Sequence, residues 1–146
     1  MKKIAVGLSG GVDSCTAAYL LREQGYEVMG ITLRLKQGSL ADADIADARR
    51  IAEALGIELE VLDLREFFKE KIIEPFVGEY FAARTPNPCI ECNGIIKFGA
   101  MLDYAVSKGC NALATGHYAK IEQSGGRFLL KKADSVKDQS YFLYRL

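Results

Sequence analysis

The chain has no net charge to offer: 19 lysines and arginines are matched by 19 aspartates and glutamates, and there is one histidine. That balance does not advertise a binder of nucleic acid, although a neutral chain can still carry a local basic patch. No stretch approaches the roughly 18 apolar residues of a membrane span. The opening MKKIAVGLSGG sets two lysines before an apolar run. The run stops at Ser9 after about five residues, short of the roughly seven of a secretory h-region. These absences predict a cytoplasmic protein with no membrane partner. Its four cysteines, Cys15, Cys89, Cys92 and Cys110, then read as thiols and not as a disulfide framework. Repeats and low-complexity tracts are lacking too. What is present is ordinary globular composition, 49% hydrophobic and 26% charged over 146 residues, enough for one domain with a real core.

Strand and helix signals alternate. Lys3 to Ser9 reads as a buried strand, and Val12 to Gln24 as a helix with Gly25 just past its end. Glu27 to Leu35 is a second strand. Leu40 to Gly56 is an Ala-rich helix, acidic early and basic later, as the helix dipole favours. Glu58 to Leu64 alternates as a third strand. Arg65 to Ala83 is a helical candidate in which Pro75 predicts a break or kink. RTPNPCIECN, Arg84 to Asn93, reads as a loop because two prolines fall within three residues. Ile95 to Lys108 returns to helix, and Asn111 to His117 gives a fourth strand. Ala119 to Ala133 reads as a hairpin with Ser124, Gly125 and Gly126 at its tip. The pattern predicts an α/β fold: a parallel, Rossmann-like nucleotide-binding sheet with helices on both faces and a short hairpin near the C-terminus. The last residues, DQSYFLYRL, read as a helix start or strand that simply stops. The expectation is a domain cut from a longer protein.

The glycine-rich stretch GLSGGVDS, Gly7 to Ser14, sits between the first strand and the first helix. Gly10 and Gly11 let backbone approach a ligand, Ser9 and Ser14 add hydroxyls, and the free amides of the helix start favour an anion. Asp13 would repel a bare phosphate, so it suggests Mg²⁺ riding on one. There is no G-x-x-x-x-G-K-[ST] and no G-x-G-x-x-G. SGGVDS resembles the pyrophosphate-binding loop of the ATP pyrophosphatase (PP-loop) superfamily, whose members cleave ATP between the α and β phosphates to adenylate a substrate. Such a loop holds a departing pyrophosphate, so the lysine of a γ-phosphoryl cradle is not required.

RTPNPCIECN is the second informative stretch. Cys89 and Cys92 could be half of a zinc site, although Cys110 and His117 are the few further ligands in sight. They could be structural thiols. They could also supply a thiolate in an exposed loop, a good nucleophile toward an adenylated carbon. SGGVDS, RTPNPCIECN, IKF (Ile96 to Phe98), ATGHYA (Ala114 to Ala119) and KDQSYFL (Lys137 to Leu143) together resemble the tRNA-specific 2-thiouridylase family, in order and spacing and over essentially the whole chain.

The resemblance implies ATP-dependent thiolation of C2 of the wobble uridine, U34, of tRNA, through O2-adenylation and sulfur passed from a persulfide donor protein. It implies that Gly7, Leu8, Ser9, Gly10, Gly11, Val12, Asp13 and Ser14 bind ATP phosphates, that Asp13 helps place Mg²⁺, and that Leu33 and Gly116 contact the nucleotide. Cys92 aligns with the family's nucleophile. Asn87, Pro88 and Cys89 would meet the target base. His117 and the run Lys137, Asp138, Gln139 would lie against tRNA, and Lys97 would contact phosphate or RNA. A hydrogen-bonded loop histidine is the more ordinary role for His117 than a general base. Cys15 and Cys110 read as packing residues.

Two departures matter. Many family members carry aspartate where this chain has Cys89. The thiol pair Cys89 and Cys92 could instead form a disulfide or ligate an iron–sulfur cluster with a third cysteine from later sequence. The family's persulfide-bearing cysteine and its central and C-terminal β-rich domains would also lie beyond Leu146. The residues alone leave two other readings open: a PP-loop ligase or amidotransferase adenylating a small molecule, and a nucleotide-binding module that never cleaves ATP.

Overall fold

A computed structural model describes all 146 residues, Met1–Leu146. Four parallel strands form its sheet in the order β3-β2-β1-β4: β1 (Lys3–Gly7), β2 (Glu27–Arg34), β3 (Glu58–Asp63) and β4 (Ala112–Ala114). β1 pairs with β2 in the register Ile4 to Val28 and with β4 in the register Ile4 to Ala112. Because side chains alternate across a strand, neighbouring residues of β1 and β2 feed opposite faces. Ala5, Met29 and Ile31 face Met101, Ala105 and Cys110 on one side. Val6, Leu8 and Val28 face Ala18, Ala48 and Ala52 on the other. The second set belongs to α1 (Val12–Glu23) and α2 (Ser39–Leu55). In the first set, Met101 and Ala105 belong to the helical rod that precedes β4, and Cys110 follows its end. Helices thus cover both faces, as predicted, and a two-stranded antiparallel hairpin, β5 (Lys120–Ser124) with β6 (Arg127–Lys131), stands apart.

Helix ends follow one rule. Gly25, Gly56 and Gly109 all have positive φ, and each donates its amide three residues back while the next residue donates five back. This double bond satisfies the last carbonyls of the helix. A fourth helix end does the same with Ala83, at φ 56°, the one non-glycine residue at positive φ.

Three expectations about the helices are corrected. Pro75 does not break its helix. The rod runs as α3 (Arg65–Phe68), a π-helical segment (Lys69–Ile73) and α4 (Glu74–Phe81), with Pro75 at the start of α4. The i→i+5 bonding just before the proline changes register there, so its missing N–H falls at a restart of the ladder. Residues 84–93 are not wholly loop. Asn87 caps a helix, its side-chain oxygen accepting the Cys89 amide at 3.2 Å, and Pro88 takes the first helical position. From there α5 (Pro88–Glu91), a second π-helical segment (Cys92–Met101) and α6 (Leu102–Ser107) form one continuous rod. The C-terminal apolar element is a 3₁₀ turn, Ser140–Leu143.

Candidate functional site

The sheet order makes β1 a switch point: the chain steps from β1 to β2 to β3 on one side and returns to β4 on the other. In open α/β sheets the crevice beyond the carboxyl ends of such strands is where ligands bind. A cleft of about 360 Å³ lies there. It is walled by Gly7, Leu8, Ser9, Asp13 and Ser14 after β1, by Leu33 of β2, and by Thr115, Gly116 and His117 after β4. That volume falls within the range of ordinary small-ligand cavities.

The loop is built from its own hydroxyls. Ser14, nearly fully buried, donates to the Gly11 carbonyl at 3.1 Å. Its remaining lone pairs then accept the Ser9 amide and the Ser9 hydroxyl, both at 3.2 Å. Gly10 turns the chain at φ +81°, and a Cβ there would sit 2.9 Å from Asp47 Cβ on α2. Position 10 therefore needs glycine both for conformation and for space. Gly11 caps α1 without a side chain, so the first-turn amides of Val12, Asp13 and Ser14 have no side-chain acceptor. A helix start with free amides on a cleft is an anion-binding wall. Gly10, Gly11 and Val12 complete this turn without lining the cleft. Gly116 seals it from the β4 side: its Cβ would lie 2.9 Å from Asp13 C and Ser14 N.

Asp13 accepts the Tyr118 hydroxyl at 2.8 Å. Gln139 pairs with Tyr118 twice, its side-chain oxygen accepting the Tyr118 amide at 2.9 Å and its own amide reaching the Tyr118 carbonyl at 2.7 Å. Gln139 thereby lines the cleft. Lys137 Nζ lies 5.8 Å from the Tyr118 ring centre. Asp138 faces its own turn, accepting the Ala133 amide at 2.7 Å and the Ser140 hydroxyl at 2.8 Å. Those bonds hold its carboxyl below the usual range.

Lys97 and His117 meet at the cleft, with Lys97 Nζ 3.4 Å from His117 Nε2 and Thr115 Oγ1 2.8 Å from His117 Nδ1. Burial, then the Lys97 charge, pushes the imidazole down to about 4, so it is neutral near pH 7. Cys92 lies on the helical rod, half-buried, and Cys89 is exposed one turn earlier. The expectation of an exposed-loop thiolate is corrected accordingly. Burial raises the Cys92 thiol above its ordinary value, Lys97 opposes this, and Cys89 adds to it. Asn87, Pro88, Cys89 and Cys92 do not line the nucleotide-sized cleft; Lys97, His117 and Gln139 do.

Sequence reasoning missed Thr115, Tyr118, Asp44 and Asn93. Asp44 lines the cleft from α2. Asn93 is buried, donates to the Phe142 carbonyl at 3.2 Å, and leaves its own Oδ1 unpaired. Adjacency to Cys92 was its one available signal. For Mg²⁺ the cleft offers the carboxylates of Asp13 and Asp44, which suit an ion held largely by phosphates and water. An iron–sulfur cluster is a poorer fit within these residues: nowhere do three His, Cys, Asp or Glu side chains converge, and Cys89 and Cys92 stand as a pair.

A glycine-rich turn from a parallel strand into a helix start, beside a cleft at the switch point, defines an α/β nucleotide-binding domain of the PP-loop kind. The chain belongs to the family described as tRNA methyl transferase HUP domain, which it matches over residues 2–146. It is 49% identical over 156 residues to the tRNA-specific 2-thiouridylase MnmA 1 of Clostridium botulinum (strain Langeland), covering 99% of this chain and 44% of that protein. It is 50% identical to the tRNA-specific 2-thiouridylase MnmA of Clostridioides difficile (strain 630), again over 99% of this chain and 44% of the relative. The chain thus spans less than half the length of these relatives. Among solved structures it resembles the U34-tRNA thiolase NcsA from Methanococcus maripaludis with its 4Fe-4S cluster, at TM-score 0.60 and 26% identity, covering 80% of this chain and 38% of that one. It shares its fold with the NH3-dependent NAD synthetase from Campylobacter jejuni, at TM-score 0.54 and 21% identity, over 79% and 47% of the two chains. The family resemblance drawn from the motifs holds.

Proposed function

We propose that this chain is the ATP-binding catalytic part of an enzyme that thiolates C2 of the wobble uridine in tRNA, acting in the cytoplasm with a persulfide donor protein. The observation that carries the reading is the joining of two parts. A cleft walled by free helix-start amides shares Lys97 with the rod that bears Cys92. The names of the relatives support the same chemistry. Uridine O2 attacks the α-phosphorus of ATP, the α–β bond breaks, and pyrophosphate leaves with the electron pair onto the Ser9–Ser14 loop. The loop amides stabilise that departing charge, and the fixed cleft brings base and nucleotide together. Mg²⁺ carried on the phosphates beside Asp13 would neutralise charge there. The outer sulfur of a persulfide on Cys92 then attacks C2, and AMP leaves with the former O2. A second thiol cleaves the S–S bond, forms a disulfide with Cys92 and leaves C2=S. Because Cys92 starts with a raised pKa, it needs proton removal or prior sulfuration before it attacks. Asn87, Pro88 and Cys89 lie at the same helix start and would frame the base, with Lys137 and Asp138 on the RNA side. Methyl transfer, which the family's description mentions, gains nothing from a pyrophosphate cradle.

The test follows AMP and 2-thiouridine from α-labelled Mg·ATP, a persulfide donor and tRNA, using the full-length gene product. Both products should require tRNA, and Cys92→Ser should abolish thiolation while AMP still forms. AMP made equally without tRNA would replace this reading with a small-molecule ligase.

A further inference from the structure

Lys97 and His117 are separated by twenty residues, yet they form one hydrogen-bonded unit on the cleft wall. An ammonium has only protons to give, so His117 Nε2 is the acceptor and Nδ1–H donates to Thr115 Oγ1. The ring is fixed at both nitrogens. Lys97 lies in the π-helical segment Cys92–Met101, five residues after Cys92. In an α-helix that spacing points well away round the axis. An i→i+5 turn is wider, with about 4.4 residues, and brings the fifth residue closer to the face of the first. The unusual turn therefore carries the Lys97 charge toward the cysteine side of the rod, where the Cys92 thiol feels it. No carboxylate neutralises Lys97: it takes part in none of the chain's eleven ion pairs. A half-buried, unpaired cation on the wall of an anion-binding cleft lacks an anion.

We propose that Lys97 is a phosphate-binding residue for the α-phosphate of the bound nucleotide, and that His117 is the positioning residue that aims it. The proposal rests on reading the cleft as an ATP site. The α-phosphate is favoured because the loop amides gather at the α1 end, whereas Lys97 stands on the rod of Cys92. The phosphate nearest the sulfur is the one that stays on the nucleotide after pyrophosphate has left. An RNA backbone phosphate offers the same oxyanion, so the test separates the two sources.

The experiment is calorimetry on the full-length protein with AMP, adenosine, inorganic pyrophosphate and tRNA. Lys97→Met should weaken AMP about 10- to 100-fold, with adenosine and pyrophosphate affinities unchanged. His117→Ala should weaken AMP by a smaller factor. His117→Gln, whose amide oxygen can still accept from Lys97, should restore it. Unaltered AMP affinity in Lys97→Met overturns the proposal. So does an equal loss for adenosine, which would mark a structural role, or a loss confined to tRNA, which would give Lys97 to the RNA. A wild-type protein that binds neither AMP nor ATP removes the cleft reading itself. A protein that binds AMP through Lys97 but never thiolates tRNA removes only the proposed reaction.

Discussion

Gly116→Ala is the most direct probe of the phosphate wall. The backbone at Gly116 is not left-handed, so alanine meets no conformational bar; space alone opposes it. The added Cβ would stand 2.9 Å from Asp13 C, 2.9 Å from Ser14 N and 3.0 Å from Asp13 O, all backbone atoms of the α1 start. Ordinary contact begins at 3.4 Å, so the helix start or the β4 exit must retreat by about half an ångström. Overpacking on that scale costs about 1–3 kcal/mol. A 150-residue domain should then melt several degrees lower. On the proposed reading of the cleft, the same retreat would lengthen amide–phosphate bonds from about 2.9 Å toward the limit of useful geometry. Losing one charge-assisted bond costs about 1.5–3 kcal/mol, or roughly 10- to 100-fold in Kd. Calorimetry with ATP and a thermal scan read both numbers. Gly94→Ala is the control: its Cβ meets nothing within 4 Å on the cysteine rod. It should keep ATP affinity and gain a little helix stability. A Gly116→Ala protein that binds ATP like the wild type would refute the claim that this contact sets the geometry of the loop.

Ala83→Gly should stabilise the fold by about 0.5–1 kcal/mol in urea, because Ala83 holds a left-handed φ of 56° at a helix end where its three counterparts use glycine. Asn87→Ala should cost about 1 kcal/mol and speed hydrogen exchange of the Cys89 amide, since that amide's acceptor is the Asn87 side chain. His117 gives a pH signature. Its folded value of about 4 lies below the ordinary 6.5, so the unfolded chain binds the extra proton. Its contribution to stability is complete above about pH 6.5 and is lost as pH falls toward 4. Solvent screening at this half-buried ring leaves on the order of 1–2 kcal/mol. Urea unfolding at pH 7.5 and pH 5 should show that loss in the wild type and a flatter profile in His117→Gln.

The sheet was legible because each strand alternates or stays apolar between glycines that stop helices. Gly25 and Gly56 end α1 and α2 at positive φ, and Gly125 and Gly126, at φ 55° and 78°, form the tight hairpin turn their sequence predicts. The phosphate loop was legible for a related reason: its hydroxyls, glycines and amides all lie within eight consecutive residues, Gly7 to Ser14. Contacts between distant segments were not. Tyr118 reaches Asp13 across 105 positions, and Asn93 reaches Phe142 across 49. No local pattern encodes either.

The cysteine segment hid for a different reason. Asn-Pro is a turn signal and also the N-cap and first position of a helix, and only the residues that follow choose between them. Here Ile90 and Ile96 are buried and commit the segment to helix. The π-helical turns then defeat a search for 3.6-residue periodicity, because they shift the inward face by one residue wherever they occur. The second one lies between Cys92 and Met101, and it carries the half-buried thiol, the orphaned Asn93 oxygen and the unpaired Lys97 charge. The irregularity that hides this stretch from sequence analysis is also what brings the Cys92 sulfur toward the cation of the cleft. In this chain, failure of the helical pattern is therefore a better guide to the proposed site than the pattern itself.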